Sequence, residues 1–202
     1  MCGIVAAVAK ANVVDLLIDG LKKLEYRGYD SAGLAVLNPH LTRLRSCGRV
    51  AELASQAEGI VATAGIAHTR WATHGVPSER NAHPHVSGGL ALVHNGIIEN
   101  YAALKQMLSA KGYQFVTDTD TETIAHLIAD KLHEAPDLFA AVRLAVGELV
   151  GAYAIAVLAE NAAGQRVVVA RHGAPLLLGL AADGCYAASD ASALLTATRT
   201  IV

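Results

Sequence analysis

An α+β fold, two stacked sheets covered by helices, is what this sequence predicts, on three observations. Short apolar runs of buried-strand character occupy both ends of the chain, while helical periodicity is confined to the middle. The chain is 53% hydrophobic but only 4% aromatic, so its core must be built from Ala, Val, Leu and Ile. Its 202 residues are enough to bury one sizeable core as a single domain spanning 1–202.

The elements follow in order. Residues 3–9, rich in Val and Ala, read as a buried strand. Asn12 is placed to cap a helix whose apolar face carries Val13, Leu16, Leu17, Leu21 and Leu24. Strands are expected at 33–37, 42–47, 65–69 and 90–94. Between the last two lies a polar stretch, 70–89, with Pro77 and Pro84. It is long for a connection in a compact domain, and such loops are often functional. Helices are expected at 99–111, stopped by Gly112, then at 120–134 with Asp118 or Thr119 near its cap, and at 137–149. Four apolar strands follow at 152–158, 166–170, 176–180 and 185–188, with turns at Gly164, Gly173 and Gly184, and Asp190 opens a short helix. There is no internal repeat and no low-complexity linker. The end at Ile201 and Val202 reads as a cut at a domain boundary.

Charge narrows the function classes. Charged residues make up 17% of the chain and the net charge is -2, with a pI near 6.5. No basic block exceeds Lys22-Lys23, so neither nucleic acid nor an anionic membrane is an expected partner. No apolar run approaches the ~20 residues that span a bilayer, and the N-terminus lacks the pattern of a signal peptide. A cytoplasmic location is therefore expected. Three cysteines, Cys2, Cys47 and Cys185, suit a reducing compartment, and Cys47 and Cys185 read as small buried hydrophobes.

Cys2 is different. Removal of Met1 would leave a free α-amine and a thiol on one residue. Such an amine titrates near ~7.7–8.0, so it is available as a base at neutral pH. It would take the thiol proton directly or through one water, as in other N-terminal nucleophiles. Gly3 would let a substrate approach the backbone closely. The bland alternative is a Cys at position 2 without a role. Four further segments stand beside it: Glu-Tyr-Arg-Gly-Tyr-Asp-Ser-Ala-Gly at 25–33, His-Thr-Arg-Trp-Ala-Thr-His-Gly at 68–75, His-Asn-Gly-Ile-Ile-Glu-Asn at 94–100 and Thr-Asp-Thr-Glu at 119–122. Attack of a thiolate on an amide creates an oxyanion, for which each preorganised donor is worth ~2.7–4 kcal/mol. Asn95-Gly96, directly after a strand, offers an amide side chain and a Gly N–H that can point the same way, though Asn-Gly is also an ordinary turn.

Together with Cys-Gly-Ile-Val at 2–5, these segments resemble the N-terminal glutaminase domain of the glutamine–fructose-6-phosphate aminotransferase family, a class II glutamine amidotransferase. The resemblance runs from Cys2 to Asp190. It implies the four-layer αββα sandwich of N-terminal-nucleophile hydrolases, and hydrolysis of glutamine to glutamate and ammonia through a Cys2 thioester. It implies Asn95 and Gly96 as the oxyanion hole. Arg70 would take the glutamine carboxylate and Asp120 its ammonium, a matched pair for a zwitterion. Trp71, Thr73, His74 and Gly75 would form a loop closing over the substrate, and His83 would line the pocket. Arg27 would support the nucleophile and favour thiolate, with an ion pair to Asp30 as the alternative. His85 and His94 read as structural histidines. His83-Pro-His85 is no usual zinc spacing, so no metal and no cofactor are expected. The expected partners are glutamine and, in a parent enzyme that is a homo-oligomer, a C-terminal sugar-isomerase half that aminates fructose 6-phosphate. The rivals are another amidotransferase or amidase on the same fold and a non-catalytic glutamine-binding module.

Overall fold

The computed structural model describes residues 2–160 and 167–202. Met1, Gly164 and Arg166, invoked above, lie outside the described residues. The elements are β1 (Gly3–Ala9), α1 (Val14–Leu24), β2 (Ser31–Asn38), β3 (His40–Ser46), α2 (Val50–Gln56), β4 (Ala64–Arg70), β5 (His85–Ser87), β6 (Leu90–Ile98), α3 (Tyr101–Ala110), α4 (Thr121–Lys131), α5 (Leu138–Val146), β7 (Gly151–Ala159), β8 (Val167–His172), β9 (Leu177–Ala181), β10 (Gly184–Ala188) and β11 (Thr200–Ile201). One sheet runs β11-β9-β10-β1-β4-β2-β3 and the other β5-β6-β7-β8. Every ladder between named strands is antiparallel.

The two-residue period of a strand distributes side chains between two faces, and here it separates three apolar clusters. Val5 and Ala7 of β1, Leu34 and Val36 of β2 and Ala67 of β4 pack outward against α1 and α2, through Leu17, Leu21 and Leu53. Leu90 and Leu92 of β6 and Ile155 and Val157 of β7 pack outward against α3, α4 and α5. The alternate positions, Ile4, Ala6, Ala35, Ile66, Ala91, Val93, Ala154 and Ala156, meet between the sheets. The layers are thus helix, sheet, sheet, helix, as expected, and the middle layer is dominated by small side chains.

Several expectations change in detail. Asn12 does serve the start of α1, where its Oδ1 accepts from Val14 N at 3.2 Å, but it also ties down Ala62 N at 3.0 Å. α2, β5 and β11 are additional to the expected elements; α2 is only seven residues long, with Val50 and Leu53 as its buried positions. β6 runs through Ile98 rather than stopping at 94, so Asn95-Gly96 lies within a strand and is not a turn. Gly3 is required by packing: a Cβ there would stand 2.7 Å from Leu24 Cδ1 and from Thr69 Oγ1. Cys47 and Cys185 are exposed, not buried. Cys47 sits just beyond the end of β3, and Cys185 near the start of β10, where burial has not yet set in. Among the described residues no helix is long and apolar enough to cross a membrane.

Candidate active site

The same alternation that builds the core positions the chemistry. Even positions of β1 face the other sheet, so Cys2 continues the row of Ile4 and Ala6. Odd positions of β6 face back, so Asn95 continues the row of Ala91 and Val93. The thiol and the amide therefore come from opposite sheets and meet at one end of the sandwich, where Asn95 Nδ2 donates to Cys2 O at 3.3 Å. A cavity of about 300 Å³ opens there, lined by Cys2, Arg27, Trp71, Thr73, Asn95, Gly96, Ile97, Ala174 and Pro175. Cys47 and Cys185 are not among its lining residues.

The Cys2 thiol lies against the backbone of Trp71, whose N–H donates to Sγ at 3.2 Å. Burial pushes the thiol pKa up; the Trp71 N–H and the Arg70 charge oppose this, and Asp30 adds to it. The resting group is accordingly a thiol, and any reaction through it needs a base.

Gly96 has φ +132°, a conformation that residues with a side chain rarely adopt, and a Cβ there would stand 2.0 Å from Ala152 O. The glycine is required for β6 and β7 to stay in register at Gly96 and Tyr153 beside the cavity. Gly28 plays a similar part at φ +71°: the Trp71 ring lies where a Cβ would be, 2.7 Å from its Cζ3. Trp71 is 53% exposed, so this single Trp is a rim residue rather than a core residue.

Of the remaining expected residues, Arg70, His74, Gly75, His83 and Asp120 are not among the cavity's lining residues. Arg70 is buried and grips the loop after β4: its Nη2 donates to His74 O and, at 2.9 Å, to Gly75 O, and its Nη1 lies 3.5 Å from Asp30 Oδ1. Asp30 in turn accepts from Ala72 N. Arg70 and Asp30 thus form the pair, while Arg27 pairs with Asp190 and Tyr26, not with Asp30. The Arg70 charge acts to lower the Cys2 pKa, while Arg27, which also lines the cavity, is ion-paired with Asp190. Asp120 does not cap α4 with its side chain. Its Oδ2 accepts from Ile98 N at 2.9 Å instead, joining the start of α4 to the end of β6 just beyond Gly96. His74 packs edge-on against Tyr101.

His83 belongs to a buried histidine group with His68, His85 and His94. The His68 and His83 rings are 4.1 Å apart, and those of His83 and His85 4.7 Å. His83 Nε2 and His94 Nδ1 both lie 3.0 Å from Thr121 Oγ1. Burial drives His68 and His85 down to about 3 and His94 to about 4, so all stay neutral near pH 7. Among the described residues no group of three or more His, Cys, Asp or Glu is arranged to hold a metal ion. Sequence reasoning missed Asp190 as the partner of Arg27 and Ile97, Ala174 and Pro175 as cavity walls. Asp190 is remote in the chain, and the other three carry no chemical signature.

Comparison with known proteins agrees with this architecture. A family model described as a glutamine amidotransferase domain matches residues 68–196. Over 207 residues the chain is 56% identical to glutamine–fructose-6-phosphate aminotransferase [isomerizing] of Acidithiobacillus ferridurans, an alignment that takes in 100% of this chain and 34% of the relative. The protein of the same name from Xylella fastidiosa is 55% identical over 205 residues, with the same coverage. The chain spans about a third of the length of the curated relatives it matches. Among solved structures, glutamine phosphoribosylpyrophosphate amidotransferase from B. subtilis superposes with a TM-score of 0.81 at 30% identity, over 96% of this chain and 43% of that one. A glutamine aminotransferase class-II domain protein from Silicibacter pomeroyi shares the fold, with a TM-score of 0.56 at 14% identity over 93% of this chain and 88% of that one. With the family model matching well over half of its residues and the two-sheet sandwich matching the solved relatives, the chain belongs to the glutamine amidotransferase domain family.

Proposed function

We propose that this chain hydrolyses glutamine to glutamate and ammonia through a γ-glutamyl thioester on Cys2. The observation that carries the reading is the delivery of the Cys2 thiol and the Asn95-Gly96 pair, from opposite sheets, to one small cavity. On a chain that begins at Cys2, the α-amine takes the thiol proton, and Sγ attacks the amide carbon. The Asn95 amide and the Gly96 N–H receive the oxyanion. Collapse breaks the C–N bond as the amine returns its proton to the leaving nitrogen, and ammonia departs. Water then cleaves the C–S bond, releasing glutamate and restoring the thiol. Trp71 and Thr73 wall the cavity, Arg70 shapes the loop that carries them, and Asp120 supplies negative charge for the substrate ammonium.

In the setting of the relatives named above, the ammonia would pass to a sugar-isomerase half that aminates fructose 6-phosphate, in an oligomeric enzyme. A reducing cytoplasm suits the exposed thiols of Cys47 and Cys185. The test is glutamate release by the purified chain and by Cys2→Ala, with a diazoketone glutamine analogue as covalent label read by intact mass. Wild type is expected to turn over and to take one label, and the variant to do neither while keeping its melting temperature. Activity of Cys2→Ala above a tenth of wild type would overturn the assignment.

A further inference from the structure

We propose that His68 is a positioning residue that sets which end of the Asn95 amide faces the reaction. The inference rests on the glutaminase reading above and extends it to a side chain that does not line the cavity. His68 Nε2 lies 3.0 Å from His94 O and 3.0 Å from Asn95 Oδ1. A backbone carbonyl only accepts, so Nε2 must carry the proton. The Asn95 atom facing that N–H must then be the carbonyl oxygen. This turns Nδ2 the other way, toward Cys2, where it donates to Cys2 O at 3.3 Å. Reversed, the amide would present an oxygen to the developing oxyanion, and a donor would become a repulsion.

His68 is completely buried, and its Nδ1 has no hydrogen-bond partner. Its ring is held by His83 at 4.1 Å and by the register of β4, which places it opposite Ile4 and Gly33. Burial keeps it neutral, so one nitrogen is always free of a proton, and the His94 carbonyl dictates that this is Nδ1. Because Asn95 adjoins His94 in β6, the same N–H fixes backbone and side chain together.

The experiment has two arms. On wild-type protein, long-range ¹⁵N–¹H spectra of the histidine rings should show His68 as the Nε2–H tautomer, unchanged from pH 8 to pH 5. An Nδ1–H tautomer, or a titration in that range, overturns the proposal without any assay of activity. In the second arm, His68→Phe keeps the ring volume and deletes the donor. Its kcat is expected to fall about 100-fold with KM for glutamine changed less than threefold, the size typical of losing one oxyanion donor. His68→Gln, which restores an N–H on the same side, should recover most of that loss. Combined with Asn95→Ala, His68→Phe should add less than threefold, since the amide it orients is gone. A loss that multiplies undiminished in the double variant, or a His68→Phe enzyme within threefold of wild type, refutes the role. If His68→Phe does not fold, the tautomer decides. A wild-type chain with no glutaminase activity would sink the underlying reading, whereas the tautomer speaks to the orientation of Asn95 alone.

Discussion

Gly96→Ala is the substitution whose consequence follows most directly from the pairing of β6 with β7. The added Cβ would lie 2.0 Å from Ala152 O and 2.9 Å from Tyr153 Cα, so β6 must retreat from β7 by about 1.4 Å to reach an ordinary 3.4 Å contact. That retreat stretches a ladder hydrogen bond past usefulness, at about 0.5–1.5 kcal/mol. Holding alanine near φ +132° adds about 1–3 kcal/mol of backbone strain. The total of about 1.5–4.5 kcal/mol corresponds to a fall in melting temperature of roughly 3–18 °C for a chain of this size. The same displacement carries the Gly96 N–H more than a bond's breadth from the oxyanion, where a shift of about 1 Å can cost about 100-fold in rate. Thermal melts and glutamate release measured on the same preparation separate the two effects, because well below the melting transition the variant is folded but slow. A Gly96→Ala protein that melts within 2 °C of wild type and retains a third of its kcat would refute the argument from strand register.

Other outcomes follow from the same geometry. Asp120→Asn keeps an oxygen to accept from Ile98 N but loses the charge offered to the substrate ammonium, so KM for glutamine should rise about 10–100-fold with kcat nearly unchanged; an unchanged KM would confine Asp120 to tying α4 to β6. Glu122 is held at about 2, because donors from His126, Val116 and Thr117 outweigh a burial that alone would raise it. Depression below the ordinary 4.5 means stability that is complete above pH 4.5 and lost as pH falls toward 2. At most about 3 kcal/mol is involved, of which about 2 is gone by pH 3. Urea midpoints of wild type and Glu122→Gln should therefore converge between pH 6 and pH 3, and a constant gap would show that the carboxylate contributes no linkage. Chain that retains Met1 should fold but release little glutamate, because a peptide nitrogen at Cys2 is no base; intact mass separates the two forms, and equal turnover would remove the α-amine from the mechanism.

Much of this site was legible in the sequence, because it is written in strand parity. Once β1 is read as an alternating strand, Cys2 must share a face with Ile4 and Ala6, and the same reading of β6 places Asn95 with Ala91 and Val93. The Asn-Gly dipeptide concealed how far β6 runs: it normally signals a turn, and only the opposing β7 shows that the glycine serves close pairing instead. Long-range partners were not legible for a different reason. Arg27 finds Asp190 rather than Asp30 because β10 lies beside β1, a neighbourhood set by the crossover order of the sheet. The resemblance assigns Arg70 to the glutamine carboxylate; that its guanidinium also holds the carbonyls of His74 and Gly75 is visible only in the folded chain. The role of His68 depends on which atom of a neighbouring amide it meets, information that exists only in three dimensions.

The small side chains between the sheets have a consequence for how the family can diversify. Ala6, Ala35, Ala64, Ala91, Ala154 and Ala156 act as shims whose thickness sets the separation of the sheets, and with it the gap between a thiol carried by one and an amide carried by the other. Sequence drift in the two outer cores can be absorbed by helices that slide and repack. A methyl group added to a shim is transmitted to the far end of the sandwich as a wider jaw. Tolerance to substitution should therefore be graded by layer rather than by distance from Cys2, with alanines well removed from the cavity as intolerant of enlargement as residues that touch it.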